Sequence, residues 1–299
     1  MIIKFRKIYY FISGLLVILS LAAILILGFN WGIDFTGGSL IEVEFFEQPS
    51  FELLKERVDN QEFGVVNIQS AGEKSVIFRL ADISENEHQV FLTKVAAQDN
   101  YREVLQERRF NSIGPIIGRE LKRRSIFAIG LVLLMIVFYI AFAFRKVSHP
   151  VSSWKYGLAA IAALAHDVLI PAGIFSALGY FKNVEIDVLF IVALLTILSF
   201  SVHDTIVVFD RVRENLKKYS NRRPFEEVVA ESLRQTIGRS LATSFAILIV
   251  LISLFVFGAE SIKYFSLTLI IGIIAGTYSS IFIASPLLVT WQKRAALNS

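Results

Sequence analysis

Six apolar stretches, each long enough to cross a lipid bilayer, constrain the fold of this 299-residue chain more than any other feature. A helix needs about 20 apolar residues to span roughly 30 Å of hydrocarbon. Such stretches occur at residues 8–29, 126–144, 156–181, 188–209, 241–257 and 265–290. Hydrophobic residues make up 55% of the chain, which is more than a water-soluble domain of this size needs. The sequence therefore predicts a polytopic α-helical membrane protein with six transmembrane helices.

The distribution of Lys and Arg predicts the orientation of these spans. If the N-terminus lies inside, the inner segments hold most of the basic residues, and the two short outer loops hold one each, Lys182 and Lys263. Cytoplasmic loops of membrane proteins carry the excess of Lys and Arg. A basic cluster at residues 119–124 falls outside, which a long translocated domain tolerates. Both termini are therefore expected in the cytoplasm.

Residues 31–124 are polar and numerous enough to form one small domain between the first two spans. Alternating apolar and polar residues predict a strand at 39–46 and a hairpin whose turn lies at 71–73. The hairpin strands are expected at residues 65–70 and 74–80, and a last strand near 110–117.

Two helices are predicted between these strands. Ser50 is expected to cap a short helix that ends near Val58. Ser84 and Glu87 have the spacing of a capping box, and the helix that they start is expected to run to about Arg108. The resulting β-α-β-β-α-β order predicts an extracytoplasmic α+β domain of the ferredoxin-like type.

The remaining chain divides at these boundaries. Residues 1–30 form the first transmembrane helix with a cytoplasmic N-terminus, and residues 125–299 form a bundle of five transmembrane helices. An amphipathic stretch around 224–238 begins after Pro224 and is predicted to be a cytoplasmic helix on the inner membrane surface or under the bundle.

Asp204 lies inside the apolar stretch 188–209, where a carboxylate costs about 2.5–3.5 kcal/mol on insertion scales. Membrane helices carry such a residue mainly where it has a function, and low-dielectric surroundings disfavour its charged form. Asp204 is therefore the leading candidate for a proton-binding site. Arg239, at the start of the fifth span, could form an ion pair with Asp204 that opens and closes with protonation. The alternative is that Arg239 extends to the lipid headgroups.

Two other polar residues in the spans, Asp167 and His203, allow two interpretations each. Asp167, which follows His166 in the third span, is either part of a proton path or a buried contact to Ser or Thr on a neighbouring helix. His203 is either a proton relay or a residue that packs between helices. Asp210 and Arg211 belong to a charge run that is typical of a solvated helix end.

Two groups of glycines are also notable. The segment Gly32-Ile33-Asp34-Phe35-Thr36-Gly37-Gly38 follows the first span, where Gly32, Gly37 and Gly38 permit a tight turn into the outer domain. Gly272 and Gly276 in the sixth span have the GxxxG spacing that allows close approach of helices. The role expected for this pair is packing.

Several segments together resemble the SecF family over nearly the whole chain. They are GIDFTGG after the first span, GPIIGREL before the second, AHD in the third, DTIVVFDRVREN at the end of the fourth, and QTIGRS with GTYSSIFIASPLL over the last two. SecF is the smaller half of the SecDF protein-export factor, which is related to the RND transporters.

The resemblance implies a non-enzymatic subunit of the bacterial inner membrane that uses the proton gradient to assist protein translocation. It implies SecD and the SecYEG translocon as partners, with YajC and YidC as further candidates, and a translocating unfolded polypeptide and membrane lipid as contacts. The family's essential carboxylate corresponds to Asp204 and its essential arginine to Arg239. His203 departs from the family, since many members have Asn there. No cofactor, metal or nucleic acid is implied, and the proton is the coupling ion.

Two functions of other classes remain as alternatives. One is an intramembrane aspartyl protease in which Asp167 and Asp204 share a proton. The other is a half-size small-molecule exporter of the RND type, for which a domain of about 90 residues would be a small substrate-binding domain.

Overall fold

The computed structural model of the chain describes residues 2–47, 49–58, 63–64, 66–70, 74–98, 100–143, 152–219 and 222–297. The chain forms two compact units. The first, here called the helical unit, comprises Met1–Asn30 and Phe127–Ser299, and the second, the sheet unit, comprises Trp31–Ile126. The predicted hairpin turn at 71–73 lies outside the described residues.

Helices dominate the described part of the chain. They are α1 (Arg6–Leu27), α2 (Ile33–Thr36), α3 (Phe51–Val58), α4 (Glu85–Ala96), α5 (Pro115–Ala143), α6 (Ser153–Lys182), α7 (Val188–Tyr219), α8 (Phe225–Phe257), α9 (Glu260–Ser279) and α10 (Ser285–Leu297). A π-helix, Ser280–Ala284, joins α9 to α10. The strands are β1 (Gly38–Phe45), β2 (Asn67–Ser70), β3 (Ser75–Leu80) and β4 (Leu105–Ile113).

The sheet unit contains a four-stranded antiparallel sheet in the order β2-β3-β1-β4. Apolar side chains that alternate along β1, namely Ile41, Val43 and Phe45, are fully buried. They pack with residues of α3 and α4, so both helices cover the same face of the sheet. The alternation predicted for residues 39–46 is therefore confirmed, and so is the pairing of the two hairpin strands.

Local hydrogen bonds start α3 and α4 where the sequence predicts. The Glu87 backbone N–H donates to Ser84 Oγ at 3.5 Å, and the Ser84 N–H donates to Glu87 Oε2 at 2.7 Å, which completes the capping box. The Leu53 N–H donates to Ser50 Oγ at 3.4 Å.

The predicted end of α4 near Arg108 is wrong. The helix ends at Ala96 because Ala97 adopts a left-handed conformation with φ of 55°, which stops the α-helical hydrogen bonds. Among the described residues that follow, Tyr101–Glu103 forms a short 3-10 helix and Leu105–Ile113 forms β4, so the last strand begins five residues earlier than expected. The sequence of β4 was predicted to continue the helix, but β4 pairs with β1 from Leu105 to Ile113. This tertiary pairing overrides the local preference of the β4 residues.

The helical unit contains the six predicted spans. Several helices extend beyond the predicted spans, for example α5, which begins at Pro115, and α7, which ends at Tyr219. The fifth and sixth spans also differ in character from the prediction. The amphipathic stretch 224–238 is not a separate helix, because it continues without interruption into the fifth span as α8. Its apolar face is buried as expected, including Phe225, Val229 and Leu233. The sixth span is widened by the π-helix, which hydropathy does not predict.

The six spans differ in how deeply they are buried within the chain. More than half of the apolar stretch is buried in α6, α7 and the sixth span, at 61%, 56% and 67%, respectively. The corresponding values are 11% for the first span, 6% for the second and 17% for the fifth. We call α6, α7 and α9 the central helices, and α1, α5 and α8 the peripheral helices.

Polar contacts place both ends of the chain at one side of the helical unit. The Glu226 carboxylate at the start of α8 accepts a hydrogen bond from Arg6 at 3.2 Å and pairs with Lys293 of α10. At the opposite end, Asn30 Nδ2 donates to the Asn183 carbonyl at 3.2 Å. The alternation of the spans therefore agrees with the predicted topology, in which the chain begins and ends on the same side.

Candidate functional site

The carboxylate of Asp204 is buried between three helices, with 6% of the residue exposed. Ser240 of α8 donates to Asp204 Oδ1, and Ser280 of the π-helix donates to Oδ2 at 2.5 Å. Each carboxylate oxygen thus accepts one hydroxyl hydrogen bond. A buried charge usually has an oppositely charged partner, but among the described residues none pairs with Asp204.

A second buried carboxylate, Asp167 of α6, has no exposed surface. Its Oδ1 lies 2.8 Å from His166 Nδ1, and its Oδ2 accepts hydrogen bonds from Ser201 at 2.5 Å and Ser279 at 2.7 Å. The predicted buried contact between Asp167 and serines of neighbouring helices is therefore confirmed. The Nε2 atom of His166 is buried without a hydrogen-bond partner among the described residues, and the imidazole stacks on Tyr278.

The two glycines of the sixth span allow this arrangement. A Cβ on Gly272 would lie 2.1 Å from the Ile197 side chain, so any larger residue would force that side chain to move. A Cβ on Gly276 would lie 3.3 Å from Ser201 Cβ and 3.5 Å from Asp167 Oδ2. The prediction that both glycines bring helices together is confirmed, and Gly276 also borders a carboxylate.

The predicted ion pair between Asp204 and Arg239 is absent from this structure. The Arg239 side chain is exposed and forms no ion pair with any described residue. The reason is geometric, because successive side chains on an α-helix point about 100° apart. Since Ser240 faces Asp204, the adjacent Arg239 faces away from it.

His203 of α7 is exposed, whereas the adjacent Asp204 is buried. The prediction that it packs between helices is not seen within the described part of this chain. His203 and Arg239 thus each precede a buried polar residue, Asp204 or Ser240, and each lies on an exposed surface.

The carboxylates of Asp167 and Asp204 bind different serines, and no hydrogen bond joins them among the residues that the structure describes. An aspartyl protease requires two carboxylates close enough to share one proton. The arrangement therefore gives no support to the protease alternative.

The charge run at the end of the fourth span forms local ion pairs. Asp210 pairs with Arg213, and Arg211 pairs with Glu214 at 2.7 Å. Arg211 Nε also donates to Gln235 Oε1 at 2.6 Å, which ties α7 to α8. These half-exposed pairs fit the solvated helix end that the sequence predicts.

Two glycines after the first span have backbone conformations that other residues rarely adopt. Gly37 has a φ of 79° and Gly38 a φ of 121°. A Cβ on Gly37 would lie 2.6 Å from Pro115 Cα, and one on Gly38 would lie 2.7 Å from the Leu80 carbonyl oxygen. The turn is therefore packed tightly within the sheet unit, between the short helix α2, which contains Asp34 and begins after Gly32, and β1.

Sequence reasoning missed the four serines that bind the two carboxylates. They are Ser201, Ser240, Ser279 and Ser280. Serine is common in membrane helices as a packing residue, so its presence alone gives no signal. The adjacent pair Ser279-Ser280, one turn after Gly276, was the available clue.

Two family models match this chain. The model described as protein export membrane protein SecD/SecF, C-terminal, matches residues 93–294. The SecD/SecF GG motif matches residues 22–45, which include Gly37 and Gly38.

Relatives and solved structures agree with these models. The protein translocase subunit SecF of Thermobaculum terrenum is 43% identical over 99% of this chain and 95% of its own length. The SecF subunit of Haemophilus influenzae is 37% identical over 94% of this chain and 82% of its own length. The crystal structure of SecDF, a translocon-associated membrane protein from Thermus thermophilus, superimposes with a TM-score of 0.83 at 32% identity. That match covers 98% of this chain and 38% of the longer SecDF chain.

A full-length match to SecF subunits, a family model over most of the chain and a closely similar SecDF structure lead to one conclusion. The chain belongs to the SecF family of protein translocase subunits.

Proposed function

We propose that this chain is the SecF-type subunit that couples proton movement across the bacterial inner membrane to protein translocation. Its partners are SecD and, through it, the SecYEG translocon, with YajC and YidC as further candidates. The coupling ion is H⁺, and the transported substrate is an unfolded polypeptide that leaves the translocon on the outer side.

The observation that carries this proposal is the surroundings of Asp204. The carboxylate is buried in a transmembrane helix and is held by two uncharged hydroxyl groups, Ser240 and Ser280. Isolated buried charges are costly, and no cation among the described residues pairs with this carboxylate to stabilise its charged form. A group that gains and loses a proton within the membrane is what a proton-driven machine requires.

The exposed side of the helical unit favours a partner with its own membrane helices. The fifth span is only 17% buried within this chain, and it exposes Arg239 at its cytoplasmic half. An ionisable residue on a transmembrane helix faces protein or water rather than lipid. Pairing of Arg239 with a carboxylate of SecD would satisfy this requirement. His203, exposed on α7, would face the same kind of surface.

The topology follows from the same proposal. The side that holds Arg6, Glu226 and Lys293 is the cytoplasmic one, because it carries the excess of basic residues. Both termini are then cytoplasmic, and the sheet unit is extracytoplasmic. Its strand order β2-β3-β1-β4, with α3 and α4 on one face, supports the ferredoxin-like assignment.

The decisive experiment compares Asp204→Asn with Asp210→Asn on the same helix. Asn keeps the shape of the side chain but cannot titrate. Each variant is expressed in cells without another SecF, and the maturation rate of a secreted precursor is measured with and without a protonophore. We expect Asp204→Asn to abolish the protonophore-sensitive part of export and Asp210→Asn to retain it. Normal export by Asp204→Asn, at equal protein level, would refute the proposal.

A further inference from the structure

Ser279 and Ser280 are consecutive residues that bind two different carboxylates. Ser279 Oγ lies 2.7 Å from Asp167 Oδ2, and Ser280 Oγ lies 2.5 Å from Asp204 Oδ2. Adjacent side chains of a helix diverge by about 100°. One serine therefore reaches α6 and the other reaches α7, so a single peptide unit links the two buried acids.

Both serines have a second acceptor within hydrogen-bond distance. Ser279 Oγ lies 3.1 Å from the Gly276 carbonyl oxygen, and Ser280 Oγ lies 3.1 Å from the Thr277 carbonyl oxygen. A hydroxyl group has one hydrogen to donate and two lone pairs to accept with. Each serine can therefore donate either to its carboxylate or to the carbonyl three residues earlier.

The other two serines at the site do not have this choice. Ser201 and Ser240 donate to Asp167 and Asp204, respectively, and no second acceptor for either hydroxyl lies among the described residues. Each acid thus accepts hydrogen bonds from two serines. One of these serines has the carboxylate as its single acceptor, and the other has a backbone carbonyl as a second acceptor. The two serines with a choice are the adjacent ones.

This difference allows both protonation states to be fully hydrogen-bonded. When Asp204 is ionised, Ser240 and Ser280 both donate to it. When a proton binds Asp204 Oδ2, the new O–H donates to Ser280 Oγ, and the Ser280 hydrogen turns to the Thr277 carbonyl. One proton is added, one hydroxyl group rotates, and no buried polar group loses its partner. The same exchange is available to Asp167 through Ser279 and the Gly276 carbonyl.

The pair also lies where the helix changes type. The π-helix begins at Ser280, and Ser285 Oγ donates to the Ser280 carbonyl at 3.3 Å. Short π-helices within α-helices are frequent at functional sites. Rotation of either hydroxyl therefore takes place at a junction that is less regular than the rest of the sixth span.

We infer that Ser279 and Ser280 form a hydroxyl bridge, in which each serine lets its own acid, Asp167 or Asp204, bind a proton without loss of a buried hydrogen bond. The inference rests on the proposed function, since it assigns positioning residues to its proton site. The titratable groups that face the bridge are His166 and Asp167 from α6, Tyr278 from α9 and Asp204 from α7. From α8 the facing group is the uncharged Ser240, because Arg239 is exposed.

The test is an infrared pH titration of the protonated carboxyl C=O band in proteoliposomes that contain the full chain and its SecD partner. The band that disappears in Asp204→Asn identifies Asp204. We expect Ser280→Ala to move the midpoint of this band to higher pH by about one to two pH units, since the ionised carboxylate loses a hydrogen-bond donor. Ser266→Ala is the matched control, because Ser266 is fully buried on α9 and, within the described part of the chain, donates to the Ile262 carbonyl rather than to an acid.

A second pair of variants keeps the test valid if alanine impairs folding. Threonine and valine have nearly the same shape and differ in the hydroxyl group. Ser280→Thr should keep the wild-type midpoint, whereas Ser280→Val should shift it as alanine does.

The outcomes separate this inference from the proposed function. An Asp204 band that titrates at the wild-type pH in Ser280→Ala and in Ser280→Val would overturn the bridge and leave the proton site intact. An Asp204 band that does not titrate at all, together with normal export by Asp204→Asn, would overturn the proposed function itself.

Discussion

The central and peripheral helices of this protein use polar residues in opposite ways. The central helices α6 and α7 bury two carboxylates, and each is hydrogen-bonded to serines of neighbouring helices. The peripheral helix α8 exposes Arg239, and its apolar stretch is largely uncovered. The two arrangements meet on α8 itself, where Ser240 faces inward and Arg239 faces outward.

This difference shows which part of the machinery the chain completes alone. The carboxylate sites are fully enclosed by its own helices, so they need no partner for their geometry. The exposed surface of α8 around Arg239, here called the arginine surface, is incomplete, because a cation on an uncovered transmembrane helix requires a counter-charge or water. We therefore expect the acid sites to tolerate removal of the partner subunit and the arginine surface to depend on it.

The largest effect is expected from removal of the exposed arginine. Arg239→Ala should reduce protonophore-sensitive export by at least about tenfold, while the thermal stability of the purified chain alone changes by less than about 0.5 kcal/mol. Arg239→Lys should also be damaging, because an ammonium group cannot form the planar double hydrogen bond of a guanidinium. Export is measured in cells, and stability in detergent.

The control for Arg239 is Arg234→Ala on the same helix. Arg234 is 79% exposed and pairs with Glu231 one turn earlier, so its loss should leave export unchanged. A large loss of stability in purified Arg239→Ala would break the comparison, because it would show that the arginine already has a partner within the chain.

A smaller effect is expected when a glycine of the central helices is replaced by alanine, which adds one methyl group. Gly272→Ala would place a Cβ on Ile197 and should destabilise the chain by about 1–3 kcal/mol. Gly130→Ala on the peripheral helix α5 meets no atom within 4 Å and should stabilise the helix by up to about 1 kcal/mol. Unfolding of the purified chain in mixed micelles measures both. Equal effects would mean that the two sets of helices are packed alike.

The smallest effect is expected at Glu87, whose carboxylate is exposed to water. Like the buried acids, it accepts hydrogen bonds from a serine, so it serves as the solvent-exposed comparison for them. Hydrogen bonds from the Ser84 backbone and side chain hold the pKa of Glu87 below its usual value of about 4.3. Because the folded pKa is the lower one, the stabilisation is present above about pH 4.3 and is lost as the pH falls through the folded pKa.

Ser84→Ala removes this cap and should destabilise the sheet unit by about 1 kcal/mol at pH 7. The difference in free energy of unfolding between Ser84→Ala and the wild-type chain should become smaller as the pH falls below about 4. Hydrogen exchange of the α4 amides, measured in both proteins between pH 7 and pH 3.5, reports this difference in stability. A stability difference that increases as the pH falls would mean that these hydrogen bonds do not favour the ionised form of Glu87.

Much of the molecule followed from local pattern. The six spans, the shared side of both chain ends and the buried face of β1 depend on the order of apolar and polar residues, which a sequence displays directly. The capping box at Ser84 was equally local. The end of α4 was missed because Ala97, which adopts the left-handed conformation, is not the glycine that usually marks such a helix end. The pairing of β4 with β1 was missed because it joins residues that are distant in the chain.

Asp204 could be singled out from the sequence because a charge in hydrocarbon is costly wherever it points. Its partner could not, because the choice between Arg239 and Ser240 depends on the rotation of α8 about its axis, and one residue changes that direction by about 100°. Only the packing of the helices fixed this rotation. The close approach of α9 to α6 and α7 at Gly272 and Gly276 likewise placed Ser279 and Ser280 on two different acids. The sequence alone thus determined which segments can span the membrane and which of their residues are ionisable. The tertiary structure decided which side chains meet, since helix rotation is set by contacts between segments and not by the pattern within any one of them.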